Sequence, residues 1–430
     1  MSYSESLSKL LASAGAAEGC KLSIKSKGRE YTGIMMPRHD LSAPDTLSLK
    51  LDSGYNVGIR MYEDSKIEVL EKPSRVKPEP RTLKPKEGLK DLVMIGTGGT
   101  ISCVVDFKTG KIQPALTAAE IIDAVPEITE IANFETRVLF SMYSEGMGVE
   151  HWQKIASAVK EEIDNGADGV IIPHGTDTMS YTAAALSFML GDVTKPVVLV
   201  GAQRSSDRPS TDAIGNLKAS ARFCVDGDRA GVFVVMQEGL SDDSFAVHSG
   251  TRVRKMHTSR RDAFHSINAS PAAIVGIDGK IEHLTEGRKV SEGKTEAKIE
   301  MEEKCILLQY FPGMDPGMFR DAILGSKGVV IAGTGLGHVN RDLVPLLKEA
   351  TESGTIVVMT SQCLGGATNH NIYSTGQELY RAGVITVGDM LPETAYIKLM
   401  WALANSDDRD RAIEMMKTPL AGETGDRRLR

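Results

Sequence analysis

Five short apolar runs, rich in β-branched residues, punctuate the chain after residue 88: 170–172 (VII), 197–200 (VVLV), 232–236 (VFVVM), 329–332 (VVIA) and 356–359 (IVVM). Runs of that length and composition suit parallel strands buried on both faces of a sheet. The segments between them read as helices. One carries Trp152, Ile155, Val159 and Ile163 at helical spacing and stops at Asn165-Gly166. Strand and helix alternating over more than three hundred residues predicts an α/β fold with mostly parallel sheets.

The first seventy or so residues obey another rule. Leu47, Leu49 and Leu51 point one way, Asp52-Ser53-Gly54 turns the chain, and Tyr55, Val57 and Ile59 resume the alternation. Further runs at 22–24, 31–36 and 67–70 complete a small all-β unit. A compact barrel is the expected form, because closure hides the edges of so few strands. Before it, Leu7, Leu10 and Leu11 lie at helical spacing. After it, Pro73, Pro78, Pro80 and Pro85 stand among charges, a density that builds no core and favours an extended spacer. A lysine- and glutamate-rich stretch from about 280 to 300 interrupts the α/β pattern. The expected division is therefore a β domain (1–72), a linker (73–88), a larger α/β domain (89–285), a charged linker (286–303) and a smaller α/β domain (304–430).

The formal charge of −7 argues against strong nucleic-acid binding by the chain alone, since phosphate neutralisation needs clustered Lys and Arg. Cys20, Cys103, Cys224, Cys305 and Cys363 are scattered, odd in number and form no CxxC. A disulfide framework is not expected, and a reducing cytoplasm fits. The N-terminus carries Glu5 early and no long apolar run, so neither a signal peptide nor a membrane span is expected.

In open α/β sheets, ligands gather at the carboxyl ends of strands. The residues just past the apolar runs are rich in glycines and hydroxyls: GTGGT (96–100), PHGTDTMSYT (173–182) and GAQRSSDRPSTDA (201–213). The first is not G-x-G-x-x-G, because Ile101 stands where glycine is required, and Glu120 sits in helix-like LTAAEIIDAV. The chain has no G-x-x-x-x-G-K-[ST], and the glycines of 333–337 lack the spacing. Metal chemistry fares no better: His174, His248, His257, His265 and His338 form no ligand pair at helical spacing with an acid. A hydroxyl nucleophile remains. Thr and Ser are poor nucleophiles at neutral pH and need a base held by a third group. Thr176 and Asp177 adjoin on a glycine turn, and Lys255, between Arg254 and Met256, offers an amine for the base's role. From charge alone, 251–264 reads as a solvated basic face.

TGGTI (97–101), HGTDTM (174–179) and RKMHTS (254–259) stand in the order found in the L-asparaginase and glutaminase-asparaginase family. SEG (144–146) falls where that family places a substrate-binding serine and acid. The resemblance covers about 91–407 and implies an asparaginase-like fold of two α/β domains behind the β unit. It implies that Thr100 attacks the carboxamide carbon, that Lys255 is a base beside Thr176, and that Asp177 holds it. Which threonine carries the acyl group stays open. Ser144 and Glu145 resemble the pair that grips the amino acid's α-groups, and Gly99 and Gly175 offer backbone donors to substrate and oxyanion.

Simple asparaginases lack the leading β unit and the proline spacer. Those additions resemble the branch of the family that serves archaeal glutamyl-tRNA(Gln) amidotransferases. PETAYIKLMWAL (392–403) resembles that branch's C-terminal helix. The resemblance implies a glutaminase releasing ammonia from glutamine or asparagine to a GatE-like partner subunit. That partner would use ATP and Mg and make most contacts with Glu-tRNA(Gln), within a heterotetramer built on a homodimer. No cofactor is expected in this chain. Two rivals are a free-standing L-asparaginase and a non-catalytic scaffold for tRNA or partner. One departure stands out: 101–113 (ISCVVDFKTGKIQ) holds Phe107 and no tyrosine, where simple asparaginases carry a lid tyrosine.

Overall fold

The computed structural model describes residues 3–38, 42–51, 55–62, 64–72, 85–98, 103–106, 111–114, 122, 125–204 and 210–425. Gly99, Thr100, Phe107, the 52–54 turn, residues 73–84, part of the loop at 205–209 and most of the segment around Glu120 lie outside them.

The N-terminal unit begins with helix α1 (Glu5–Ala14), whose first turn is capped by Ser4 and which ends at Gly15 in the left-handed region. Leu7 and Leu11 bury against the strands. Five antiparallel strands come next: β1 (Lys21–Ser26), β2 (Arg29–Met35), β3 (Thr46–Leu51), β4 (Asn56–Arg60) and β5 (Lys66–Glu71), in the order β4-β3-β2-β1-β5. Alternation puts Leu22, Ile24, Leu47 and Leu49 into one core with no exposed surface. The sheet curls far enough for Ser26 Oγ, ending β1, to donate to the Arg60 carbonyl ending β4 at 2.8 Å.

The larger α/β unit is built on β6 (Asp91–Gly98), the hairpin β7 (Cys103–Asp106) and β8 (Lys111–Pro114), and β9 (Asn133–Met142). Then come helix α2 (Val149–Asp164), β10 (Gly169–Pro173), α3 (Met179–Met189), β11 (Pro196–Val200), α4 (Ala213–Asp226) and β12 (Gly231–Gln237). The remaining strands are β13 (Ser244–Ser249), the hairpin β14 (Val253–Lys255) and β15 (Phe264–Ser266), β16 (Ala273–Gly276) and β17 (Ile281–His283). Eight form one sheet, β17-β16-β13-β12-β11-β10-β6-β9. The five from β12 to β9 are parallel, and the last three are antiparallel.

The second sheet is wholly parallel: β18 (Cys305–Gln309), β19 (Gly328–Gly333), β20 (Ile356–Ser361) and β21 (Ile385–Thr386). Helices α5 (Pro316–Leu324), α6 (Val344–Glu352), α7 (Ser374–Arg381), α8 (Pro392–Ala404) and α9 (Arg409–Lys417) surround it.

Period-two alternation decides which face each strand residue covers. Val170, Ile172, Val197 and Leu199 join α2 and α3, while Ile171, Val198 and Val200 bury under α4. On the second sheet, Val330 and Val358 face α8, and Val329, Ile331 and Val357 face α6. The apolar layer holding α2, α3, α8 and α9 is therefore shared by both sheets. Between β17 and β18 the chain has no helix or strand, yet it is seated: Thr295 N–H donates to Asp164 Oδ1 at 2.9 Å and Lys298 N–H to the Met189 carbonyl at 2.8 Å. Ala297, Ile299 and Met301 pack inward between outward charges.

Candidate active site

Strand order fixes where a site can form. From β6 the chain crosses to β9 on one side, then returns past β6 to β10 and runs on to β11 and β12. Neighbours β6 and β10 are thus where the winding reverses, and the carboxyl ends of such strands are where open α/β sheets take their ligands. Gly98 ends β6, His174-Gly175-Thr176-Asp177 comes directly after β10, and Ser144-Glu145 after β9. Thr97 Oγ1 ties the first two strand ends together by donating to the Pro173 carbonyl at 2.7 Å.

Two glycines let these ends close. A Cβ on Gly175 would lie 2.6 Å from Ser144 Cβ, and one on Gly98, at φ +102°, 2.5 Å from the Met142 carbonyl oxygen. No side chain fits in either place.

Thr176, Asp177 and Lys255 meet. Lys255 ends β14, 78 residues from Asp177, and its Nζ lies 2.9 Å from Thr176 Oγ1 and 2.6 Å from Asp177 Oδ1. The Thr176 residue is buried and the Lys255 side chain 12% exposed, while the Asp177 side chain is 72% exposed. A charged Lys255 donates to both oxygens. A neutral amine would take the hydroxyl proton along the same 2.9 Å line, the geometry a general base requires. The expected solvated face is thus corrected at this lysine: Val253 and Phe264 are core residues, so the hairpin carries Lys255 inward.

Ser144 opens a short 3-10 turn (Ser144–Gly146) and is buried against Gly175; its carbonyl accepts from Thr178 Oγ1 at 2.8 Å. Glu145 beside it is exposed. Gly99 and Thr100, one and two residues beyond β6, lie outside the described residues.

His174 is fixed rather than reactive. Its Nδ1 lies 2.7 Å from the Gly175 carbonyl, which only accepts, so Nδ1 bears the proton. Nε2 then accepts from Thr182 Oγ1 at 2.9 Å, and Thr182 in turn accepts from Trp152 Nε1 at 3.0 Å. Burial pushes the imidazole down to about 4, so it stays neutral. Among the described residues, no group of three or more His, Cys, Asp or Glu is placed to hold a metal, and no helix is long and apolar enough to cross a membrane.

Sequence reasoning passed over several supporting groups. Asp212, buried at the start of α4, accepts from the backbone N–H of Gln203 and Arg204 and from Asn216 Nδ2 at 3.0–3.1 Å, pinning the loop after β11. Its burial raises the carboxyl pKa, and those donors pull it back. An acid before a helix is a visible signal. Its partners are not.

The chain matches the family described as "Asparaginase, N-terminal" over residues 91–287 and "Glutaminase/Asparaginase C-terminal domain" over 304–416. Residues 16–70 match "GatD N-terminal domain". The D subunit of glutamyl-tRNA(Gln) amidotransferase from Pyrococcus furiosus is 51% identical over 399 residues, covering 92% of this chain and 91% of that one. The chain belongs to the GatD family of glutamyl-tRNA(Gln) amidotransferase subunits. Another member, from Methanothermobacter thermautotrophicus, is 45% identical across 99% of this chain and 98% of its own length. Among solved structures, the L-asparaginase of Thermococcus kodakarensis is 32% identical with a TM-score of 0.70. All of that asparaginase is covered, but only 78% of this chain. GatD membership, and not the asparaginase fold alone, accounts for the match at 16–70.

Proposed function

We propose that the chain is the glutaminase subunit of a tRNA-dependent amidotransferase, releasing ammonia from glutamine, or asparagine, by acyl transfer to a threonine. The observation that carries this reading is Lys255 Nζ held between Thr176 Oγ1 and Asp177 Oδ1. A threonine oxygen attacks the carboxamide carbon while its proton passes to the neutral lysine amine. Collapse of the tetrahedral intermediate breaks the C–N bond, and the nitrogen leaves as ammonia with the proton returned by lysine. Water then attacks the ester by the same route and frees the acid.

Thr100 supplies one hydroxyl for attack on the carboxamide carbon, and Thr176, Lys255 and Asp177 form the second constellation, so either threonine can carry the acyl group. Ser144 and Glu145 grip the α-groups. Backbone N–H groups of the Gly99 and Gly175 turns hold the oxyanion, the largest contribution in such reactions. No cofactor takes part in these steps. The relatives' shared name, a subunit of glutamyl-tRNA(Gln) amidotransferase, supports an assembly. In it, a GatE-like partner uses ATP and Mg to convert Glu-tRNA(Gln) to Gln-tRNA(Gln) with the ammonia released here. A homodimer of this chain lies within the heterotetramer, in the cytoplasm. Purification of the tagged chain from its own cells tests the assembly. A second subunit of amidotransferase type should copurify in fixed ratio, and recovery of the chain alone in active form would favour a free-standing asparaginase.

A further inference from the structure

We infer that Glu393 and Asp389, in the smaller α/β domain, are positioning residues for Lys255, acting through Arg254 and Arg252. The inference rests on the reading of Lys255 as the base.

Lys255 ends a three-residue strand, too short to hold its own place. Alternation along 252–255 sends Val253 and Lys255 to one side and Arg252 and Arg254 to the other. Val253 joins the apolar layer shared by both sheets. The two arginines reach the smaller domain. Arg252 Nη1 meets Asp389 Oδ2 at 2.9 Å, with both side chains 4–6% exposed, and Arg254 Nε lies 3.4 Å from Glu393 Oε1. One residue earlier, the Thr251 carbonyl accepts from Thr394 Oγ1 at 3.0 Å.

The C-terminal segment closes the same seam. Thr251 Oγ1 donates to the Ala421 carbonyl at 2.9 Å, and Arg252 Nε to the Gly422 carbonyl at 2.8 Å. Gly425 N–H donates to Asp389 Oδ1 at 3.1 Å. Glu423 is fixed by a fully buried pair with Lys398 of α8. Three of the four residues before Lys255 are therefore fastened across the seam.

Net stability is a poor explanation for such pairs. Buried ion pairs add little over apolar packing, and their best use is to fix one geometry. Glu393 stands in the first turn of α8, where the helix dipole favours an acid. Burial raises its carboxyl pKa, and Arg254 beside it opposes that. The pair thus sets Arg254 of β14 against the acid in the first turn of α8. The strand register then sets where Lys255 Nζ stands relative to Thr176.

The test is steady-state ammonia release by the complete complex carrying Glu393→Gln, Arg254→Gln or both, with Lys255→Met as reference. Misplacing a catalytic group by about 1 Å costs roughly a hundredfold. Glu393→Gln should therefore lower kcat about ten- to a hundredfold with KM within about twofold. The double variant should lose little more than either single one. Arg254→Lys, which keeps the charge but shortens the reach, should fall between and serves if Glu393→Gln does not fold. Unchanged kcat in a folded Glu393 or Arg254 variant, with Lys255→Met inactive, overturns the positioning role alone. An active Lys255→Met variant overturns the base reading beneath it.

Discussion

Thr176 is buried, and its hydroxyl has a lysine amine 2.9 Å away. A turn threonine has no use for that neighbour. Thr176→Val exchanges one hydroxyl for a methyl, so the fold should persist while amide hydrolysis falls by roughly 10³- to 10⁶-fold, the scale for loss of a nucleophile or its base. Thr100→Val should do the same. Ammonia release at wild-type rate from both single variants would remove the threonines from the mechanism. Lys255→Met keeps length and apolar packing, and turnover should vanish while glutamine binding is largely kept. Lost affinity at unchanged kcat would make Lys255 a substrate contact instead.

His174 carries a different prediction at the same scale. Its imidazole is held down at about 4 against an ordinary 6.5, so on acidification the unfolded chain takes up its proton first. The contribution is complete above pH 6.5 and is lost as pH falls toward 4, on the order of 3 kcal/mol at about 1.4 kcal/mol per unit. His248, pushed down to about 3, works in the same direction, while Asp212 and Glu393, raised by burial, oppose it. His174→Gln removes one titration. Denaturant melts at pH 7.5, 5.5 and 4.5 should show the wild-type advantage over that variant shrinking with acid. An advantage independent of pH would mean His174 is not held neutral by burial.

Among the elements, the three strand ends of the site stand or fall together. Gly175→Ala drives a methyl to 2.6 Å from Ser144 Cβ, so the turn after β9 must shift. The expected result is a marked rise in KM with a destabilisation of about 1–3 kcal/mol, as in overpacking. Unaltered kinetics would detach Ser144 from the site. Elements were also the most legible part of the sequence. All five β-branched runs are strands, and the 152–163 helix ends just before Asn165-Gly166. Those patterns are local. The pairing of β14 with the start of α8 joins residues some 140 apart, and nothing near Lys255 records Glu393. Charge alone therefore read as solvated a hairpin whose tip, 257–260, is exposed but whose Arg252 and Lys255 turn inward. The 286–303 stretch held a readable clue in Thr295, Ala297, Ile299 and Met301, spaced by two, which its charges masked.

For the whole molecule, the winding of one sheet gathers Ser144, Gly175 and Thr176 at a single site, and a second domain fastens the strand that delivers Lys255. The site is thus assembled from distant parts, which makes its competence open to control from outside. Three sequence features point to such control: no tyrosine in 101–113, the added β unit and the proline-rich spacer. A net charge of −7 argues against this chain alone neutralising the phosphates of a tRNA. A subunit that feeds ammonia to another site gains by staying idle until that site is loaded, through a population shift toward the competent state. The direct measurement is ammonia release from glutamine by the purified chain, then with its partner subunit, then with partner and glutamyl-tRNA(Gln) together. Weak release from the chain alone, rising substantially only in the full mixture, is the predicted result; full activity without partner or tRNA would contradict it.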